Sequence, residues 1–473
     1  SKTMTLRNSL IALLVSAALA PVALASDVAA LPAALPDFAP DKPLPVPEVS
    51  RRTLENGLQV WVLPRDGVPR VDYVLAFRNA GLAADAAETP AFASMLAGLM
   101  AEGTSERDSR QVAEAAQGMG GSIGAYASND GLVVTANALP SKAADMAALL
   151  AEVTRSPSFP EKEVELAKAN ALQGLKAAEA QPGFRAERAM LAALYGDHAY
   201  ARTQPTEAGI ASVDRDRLVS EHDRRLRPDN ALLVIAGRID DAAAMALAER
   251  HFGDWQAEGE PPAATPAART GAQPTRVLVG REGSVQSTVR IGRPAVRATH
   301  ADQIPLQLAS TVLGGSFSSR LMQNLREEKG YTYGARLGQR SQAAGGALVS
   351  SADVRNDVTG AAIGEFFTEF DRLANEPVSA AELEMNKRYV AGSYLISNQL
   401  QRSVAGTLAS NWLVGLPPEY IGEFVPRIRE VTAAQVQAMG RKYFQPAQQS
   451  IVVVGDEAVL EQLGRFGEFS KAE

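Results

Sequence analysis

The sequence of 473 residues contains no cysteine and only four histidines. The absence of cysteine excludes disulfide scaffolds, iron–sulfur clusters, thiolate zinc sites and a cysteine nucleophile. Basic residues are not in excess either, because 47 Lys and Arg stand against 54 Asp and Glu, a formal net charge of −7. This balance argues against a nucleic-acid-binding protein, which needs a basic surface to neutralise phosphates. The composition, with 46% hydrophobic and 21% charged residues, is typical of a folded protein. The length of the chain allows about two to four domains.

The N-terminus has the pattern of a secretory signal peptide. Lys2 and Arg7 precede an apolar run over residues 10–20, and small residues follow at positions 23–25. The run is short for a bilayer and ends before Pro21, so export is favoured over a membrane anchor. We predict a signal peptide over residues 1–25, an extended leader rich in Ala and Pro over residues 26–48, and a periplasmic location.

The rest of the chain divides into two halves with related patterns. Residues 257–275, rich in Ala, Pro, Gly and Thr, have the composition of a linker. The first half ends in the segment 213–237 and the second in the segment 431–455, and these segments match without gaps at an offset of 218 residues. Each has the pattern of an amphipathic helix, a turn with proline and a buried strand that ends at glycine. The match predicts a duplicated domain.

Each half begins with strands, continues with Ala- and Leu-rich helices and closes with a strand. In the first half, Asn56-Gly57 lies between two β-prone runs and is a strong hairpin signal. This order predicts an α+β fold of two homologous domains, at residues 49–256 and 276–470. Each domain should be a mainly antiparallel sheet with helices packed on one face.

The motifs of several enzyme classes are missing from the sequence. It contains no G-x-S-x-G elbow, no phosphate-binding G-x-x-x-x-G-K-[ST] loop and no H-E-x-x-H. None of the four histidines has a second histidine three or four residues away, as a helical zinc site requires. The glutamates at 161, 163 and 165 are predicted to form a solvated helix start, where negative charge suits the helix dipole.

A glycine turn in the second half leads into a helix with two residues of chemical interest. The turn is Gly314-Gly315, and Arg326 lies in the last turns of the helix, which is predicted to end at Gly330. A strand is predicted to begin at Tyr331, so that Tyr333 and Arg326 converge across the intervening turn. Taken alone, the arginine could simply complement the helix dipole and the tyrosine could be a half-buried strand aromatic.

The order and spacing of several motifs resemble the pitrilysin/insulysin family of zinc metallopeptidases, which includes the mitochondrial processing peptidase subunits. The resemblance extends from about residue 50 to residue 468. The motifs that carry it are Leu54-Glu55-Asn56-Gly57-Leu58, Met100-Ala101-Glu102-Gly103-Thr104, Gly120-Gly121 with Ala125-Tyr126, Leu313-Gly314-Gly315 with Ser319-Arg320-Leu321, and Leu325-Arg326-Glu327 with Gly330-Tyr331-Thr332-Tyr333-Gly334. The resemblance implies two homologous domains that form one half of a clamshell, whose other half is a second such pair.

The zinc motif is where this sequence departs from the family. Family members carry H-x-x-E-H on a helix just before the Met100–Thr104 segment, and its histidines bind zinc while its glutamate activates water. Here the three positions hold Ser94, Ala97 and Gly98, and the position of the distal zinc-binding glutamate, near Gln173-Gly174, has no carboxylate. These residues can neither hold zinc nor deprotonate water. We therefore predict that the chain binds no metal cofactor and does not hydrolyse peptides alone.

The second-domain motif is intact. In active family members an arginine and a tyrosine seven residues apart bind substrate carbonyls and stabilise the oxyanion, and Arg326 and Tyr333 match them. The resemblance thus implies the zinc-free subunit of a periplasmic heterodimeric peptidase, with Zn²⁺ in a homologous H-x-x-E-H subunit and unstructured peptides as substrates. The Gly314-Gly315 turn and the Ala125-Tyr126 strand are predicted to contact extended substrate.

Two alternatives remain open. The chain could be a non-catalytic structural or peptide-binding protein, like the core subunits of respiratory complexes that share this fold. That interpretation predicts decay of both motifs, whereas only the zinc motif has decayed. The chain could also form a homodimer that holds peptides without cutting them.

Overall fold

The computed structural model describes residues 46–472 together with residues 36, 39 and 40. The predicted signal peptide and most of the predicted leader lie outside the described residues. The first half contains, in chain order, β1 (Ser50–Thr53), β2 (Gln59–Pro64), β3 (Val71–Arg78), α1 (Phe92–Met100), α2 (Ser109–Gly118), β4 (Ser122–Ala127), β5 (Gly131–Ala138), α3 (Ala143–Arg155), α4 (Glu161–Glu179), α5 (Pro182–Tyr195), α6 (Glu207–Ala211), α7 (Arg215–Arg225), β6 (Ala231–Gly237) and α8 (Asp241–Phe252).

The second half follows after a segment without helix or strand at residues 253–275 of the described chain. It contains β7 (Arg276–Gly280), β8 (Gln286–Ala295), α9 (Gln303–Ser310), two π-helical segments (Thr311–Gly315 and Met322–Glu328), β9 (Ala335–Ser341), β10 (Gly346–Arg355), α10 (Thr359–Asn375), α11 (Ala380–Ser397), α12 (Gln401–Leu413), α13 (Tyr420–Glu430), α14 (Ala433–Tyr443), β11 (Ser450–Gly455), α15 (Leu460–Leu463) and β12 (Ser470–Ala472). Among the described helices, none has the length and apolar character needed to cross a bilayer.

Two six-stranded sheets lie at the centre of the described chain. The strand order is β1-β2-β6-β3-β5-β4 in the first sheet and β12-β7-β11-β8-β10-β9 in the second. Neighbouring strands are antiparallel except in the pairs β2–β6, β7–β11 and β7–β12. The predicted α+β class with mainly antiparallel sheets is therefore confirmed. Five successive positions of the two sheets have the same topology, and the sheets differ only at the edge formed by β1 or β12.

One face of the first sheet is covered by helices of its own half, as the sequence predicted. Val62 of β2 and Leu75 of β3 pack in one cluster with Leu96 of α1, Leu150 of α3 and Leu218 of α7. Successive side chains of a strand point to opposite faces, so these strand residues alternate with others that face the opposite side. Those other residues are apolar as well, which means that the second face must also be covered.

A helix from the other half covers this second face in each sheet. Val74 of the first sheet packs with Leu408 of α12, and Val454 of the second sheet packs with Met190 of α5. One helix of each half thus packs on the sheet of the other half, and both sheets are buried on both faces. This explains why the central strands are continuous apolar runs rather than alternating ones.

A buried polar contact also joins the halves. The Tyr200 hydroxyl donates to Asp130, and both groups then accept backbone N–H bonds from the β9–β10 turn: Asp130 from Ala343 and Tyr200 from Ala344, each at 3.0 Å. Glu187 of α5 forms a bidentate ion pair with Arg340 of β9 at 2.7 and 2.9 Å.

Candidate functional site

The glycine turn and Arg326 belong to the two π-helical segments between α9 and β9. Gly314 must be glycine, because a Cβ atom there would lie 2.6 Å from the backbone nitrogen of Leu337 in β9. This close approach packs the turn directly against the outer strand of the second sheet. Arg326 lies in the last turn of the second segment, which agrees with the sequence prediction.

The strand predicted from Tyr331 begins instead at Ala335, so that prediction was wrong. The Thr332 hydroxyl donates to the Gly334 carbonyl at 3.0 Å and accepts from the Gly334 N–H at 3.2 Å. Such local side-chain bonds compete with the hydrogen-bond ladder of a sheet and hold the segment in a loop. Tyr333 lies in this loop and is 92% exposed rather than half-buried.

Arg326 lies above an aromatic ring that the sequence analysis did not single out. Its guanidinium carbon is 4.7 Å from the ring centroid of Phe317, which is itself 68% exposed, and its Nε is 3.6 Å from Oε1 of Glu327. The first contact is a cation–π interaction, which positions the charge while leaving most of its N–H groups unused. Phe317 could have been singled out from the sequence, because it is an aromatic residue inside a Gly- and Ser-rich turn.

Hydrogen-bond donors of this region remain available. Among the described residues, none forms a hydrogen bond with the Arg326 Nη groups or with the Tyr333 hydroxyl. The backbone turns back between the two residues, since the Leu325 carbonyl accepts the Tyr331 N–H at 2.8 Å, but no hydrogen bond in the described part of the chain joins Arg326 to Tyr333.

The zinc-motif positions lie on α1. Ser94 and Gly98 are exposed one helical turn apart, whereas Ala97 is 1% exposed and packs into the core. Gln173 and Gly174 are exposed on α4. Within residues that the structure describes, no three His, Cys, Asp or Glu side chains lie close enough together to hold a metal ion. A hydroxyl, a methyl group and a glycine offer no ligand set, so the family's zinc does not fit these residues.

A buried ion pair anchors the start of α1. Asp85 accepts the Ala93 N–H at 3.1 Å and pairs with Arg225 at 2.7 Å, and Arg225 also pairs with Glu221. Burial raises the pKa of Asp85 to about 6, because the loss of hydration outweighs the attraction of Arg225. The helix is thus fixed where family members carry zinc ligands, although the ligands are absent.

Ala125 and Tyr126 lie on β4, the outer strand of the first sheet. β4 pairs with β5 through Ala125–Val134 and Tyr126–Val133, and no described strand pairs with its other edge. Tyr126 is 50% exposed, whereas Ala125 packs partly against the core. Because α1 packs against β4, this free edge and the zinc-motif positions lie in one region of the first half.

The predicted site residues therefore form two groups. Ala125 and Tyr126 lie near α1 in the first half, and the glycine turn, Arg326 and Tyr333 lie around β9 in the second half. No hydrogen bond or ion pair of the described chain joins Arg326 or Tyr333 to the first group.

Comparison with known proteins decides the family. Residues 74–205 match the family described as Insulinase (Peptidase family M16), and residues 212–390 match the Peptidase M16 inactive domain. The chain belongs to peptidase family M16. Its zinc-motif positions hold Ser94, Ala97 and Gly98, so it is a member of M16 that lacks the zinc motif.

Relatives and solved structures agree with this assignment. The chain is 25% identical over 403 residues to the uncharacterized zinc protease YmxG of Bacillus subtilis, which covers 84% of this chain and 96% of that protein. It is 26% identical over 398 residues to an uncharacterized zinc protease of Mycobacterium leprae, over 83% of this chain and 89% of that one.

Two solved structures show the same fold. A peptidase M16 inactive domain from Pseudomonas fluorescens superimposes with a TM-score of 0.79 at 24% identity, over 86% of this chain and 98% of that one. A protease from Helicobacter pylori gives a TM-score of 0.81 at 18% identity, over 87% of this chain and 100% of that one.

Proposed function

We propose that this chain is the zinc-free subunit of an exported heterodimeric metallopeptidase and supplies Arg326 and Tyr333 to a zinc site in a homologous partner. The observation that carries the proposal is the exposure of the pair. Tyr333 is 92% exposed, and the Arg326 side chain is 36% exposed above the exposed Phe317 ring. Donors held out from the protein surface in this way are suited to a group that another chain brings to them.

The chemistry of the two side chains fits this role. When a zinc-bound water attacks a peptide carbonyl, negative charge develops on the carbonyl oxygen, and a guanidinium and a phenol can both donate hydrogen bonds to it. One donor of this kind contributes about 3–4 kcal/mol to transition-state stabilisation, a factor of about 10²–10³ in kcat. The residues at positions 94, 97 and 98 cannot supply the zinc, so the metal must come with the partner.

The free edge of β4 supports a role in substrate binding. An extended peptide can add to an unpaired strand edge through main-chain hydrogen bonds, which do not depend on sequence. Ala125 and Tyr126 would then contact alternate substrate side chains, and the Gly314-Gly315 turn would contact a further part of the same peptide. Only an unstructured segment can pair in this manner, so the substrates are unfolded peptides.

Export to the periplasm and internal duplication are part of the same proposal. The charged start and apolar run of residues 1–25 support export, and the shared order of five strands in the two sheets supports duplication. N-terminal sequencing of the mature protein tests export, and a mature chain that begins near residue 26 is the expected result.

The test of the catalytic role is cleavage of a quenched, unstructured peptide. It compares this chain alone, an H-x-x-E-H homologue from the same genome alone, and their mixture. Chelator-sensitive activity is expected only in the mixture, and Arg326→Ala should reduce kcat by about 10²–10³-fold. Arg110→Ala, at an 86% exposed side chain of α2, is the matched control and should leave activity unchanged. Equal activity with and without this chain would refute the proposal.

A second candidate is a peptide-binding protein without a role in hydrolysis. The lack of zinc ligands at positions 94, 97 and 98 of α1 and the edge of β4 that no described strand pairs with favour it, because together they allow binding without cleavage. This candidate predicts that the chain alone binds the peptide, and that no homologue becomes more active when the chain is added.

A further inference from the structure

A cavity of about 560 Å³ lies between α1, α4 and α6, on the side of α1 where Ser94 and Gly98 are exposed. Its volume is in the range of small-molecule sites. Most of its wall is apolar, formed by Phe92, Met95, Leu99, Leu166, Ile210 and Val213. Leu166 is 53% exposed at this wall, although a leucine on a helix surface is normally turned towards a core.

Two carboxylates lie at one end of this cavity. Glu102 follows α1, and Glu163 lies in the first turn of α4. They share one end because Gly103 packs against Pro160, where a Cβ atom on the glycine would meet the proline ring at 2.9 Å. The sequence predicted a solvated helix start at Glu161, Glu163 and Glu165; Glu161 and Glu165 are exposed, whereas Glu163 is half-buried and contributes to the cavity wall.

No cation of the described chain forms an ion pair with either carboxylate. Within the described residues, neither glutamate has an ion-pair partner, and Glu102 accepts only the Ser109 hydroxyl. Among the described residues that line the cavity, none is a lysine or an arginine. The guanidinium carbons of Arg217 and Arg225 each lie 5.4 Å from the Phe92 ring centroid, but Arg217 donates to the Thr89 hydroxyl at 2.7 Å and Arg225 is paired with Asp85.

We propose that this cavity binds an apolar organic cation. The apolar group fills the space lined by α1, α4 and α6, and an ammonium or guanidinium group lies between Glu102 and Glu163. Half-buried carboxylates without a counter-ion are stabilised by a cationic ligand, while the apolar wall gains from being removed from water. The ligand can be a free amine or a bulky apolar residue beside Lys or Arg in a peptide. The site uses neither zinc nor the Arg326 and Tyr333 pair.

Calorimetric titration of the folded chain with n-alkylammonium ions tests the proposal. From butyl to octyl, the affinity should rise about fourfold per methylene. Octanol should bind about tenfold more weakly than octylammonium, and octanoate more weakly still. Unstructured peptides with a Leu-Lys or a Leu-Gln pair form the second arm. Preference for Leu-Lys identifies a peptide ligand, whereas binding of octylammonium alone identifies a free amine.

Two variants separate the apolar and ionic contributions. Gly98→Leu should abolish binding, because a Cβ atom at this position meets nothing within 4 Å and the side chain can enter the cavity without strain. Gly392→Leu on α11, where a Cβ atom also meets nothing within 4 Å, is the matched control and should bind normally. Glu102→Gln combined with Glu163→Gln should retain octanol binding and lose the preference for octylammonium.

Three results would overturn the proposal. They are no saturable binding of octylammonium, unchanged binding in Gly98→Leu, or an unchanged preference for the ammonium ion in the double glutamine variant.

Discussion

Tyr200→Phe removes one oxygen from the buried contact that joins the two halves, and its cost can be worked out from the structure. Tyr200 is fully buried, and its hydroxyl donates to Asp130 and accepts the Ala344 N–H. The variant deletes both bonds while keeping the ring, so no cavity of consequence is created. It leaves a backbone N–H of the second half without a partner and removes one hydrogen bond from a buried carboxylate.

The expected loss is about 3 kcal/mol of unfolding free energy. A hydrogen bond to a charged group contributes about 1.5–3 kcal/mol and a neutral one about 0.5–1.5 kcal/mol. Because each half covers a sheet face of the other, the halves should unfold in one transition, and urea denaturation of the whole chain can measure the loss.

Tyr195→Phe is the matched control. Tyr195 is 3% exposed and its ring centroid lies 5.6 Å from that of Tyr200, but its hydroxyl has no hydrogen-bond partner within the described residues. Removing a buried hydroxyl that bonds to nothing should be neutral or stabilise the protein by up to about 1 kcal/mol. Equal losses in the two variants would refute the argument that this contact holds the halves together.

Three further predictions concern the region around α1 and the glycine turn. Burial raises the pKa of Asp85 to about 6, so the folded protein holds this proton more tightly than the unfolded chain, and about 2 kcal/mol of stability is lost as the pH rises from 4 to 7. Asp85→Asn lacks this loss, and urea titrations in which variant and native protein change in parallel with pH would contradict it. Combining Ser94→His with Gly98→His places two imidazoles one exposed helical turn apart on α1. Co²⁺ should therefore bind to the double variant with a visible absorption band that Ser94→His alone does not give. The absence of this band from the double variant would show that the two positions do not share a face of the helix. Gly314→Ala should lower the free energy of unfolding by about 1–3 kcal/mol, because its Cβ atom would lie 2.6 Å from a backbone nitrogen. Gly392→Ala lies in open space on α11 and should raise the free energy of unfolding by up to about 1 kcal/mol in the same urea assay.

Local patterns in the sequence were sufficient to predict the fold class. The Asn56-Gly57 hairpin, the Ala- and Leu-rich runs and the offset of 218 residues between the halves are all visible without a structure. The exchange of α5 and α12 was not predicted, since it depends on which distant surfaces meet rather than on any local preference. Uninterrupted apolar strands such as β6 and β11 were the indication that both faces are covered.

The sequence singled out the candidate site residues but did not predict their conformation. The spacing of Arg326 and Tyr333 identified the pair, whereas the loop around Tyr333 depends on hydrogen bonds of Thr332 that propensity does not show. The carboxylate of Glu163 looked like an ordinary helix start because the cavity beside it forms only when three separate helices meet.

The proposed role of Tyr333 is tested most directly by kcat for peptide cleavage by a mixture of this chain and an H-x-x-E-H homologue from the same genome, with Tyr333→Phe in place of the native chain. The ring is 92% exposed, so the variant should fold and associate as the native chain does. If the Tyr333 hydroxyl stabilises the oxyanion, kcat should fall by about 10²–10³-fold with little change in KM. An unchanged kcat in a fully associated complex would contradict it.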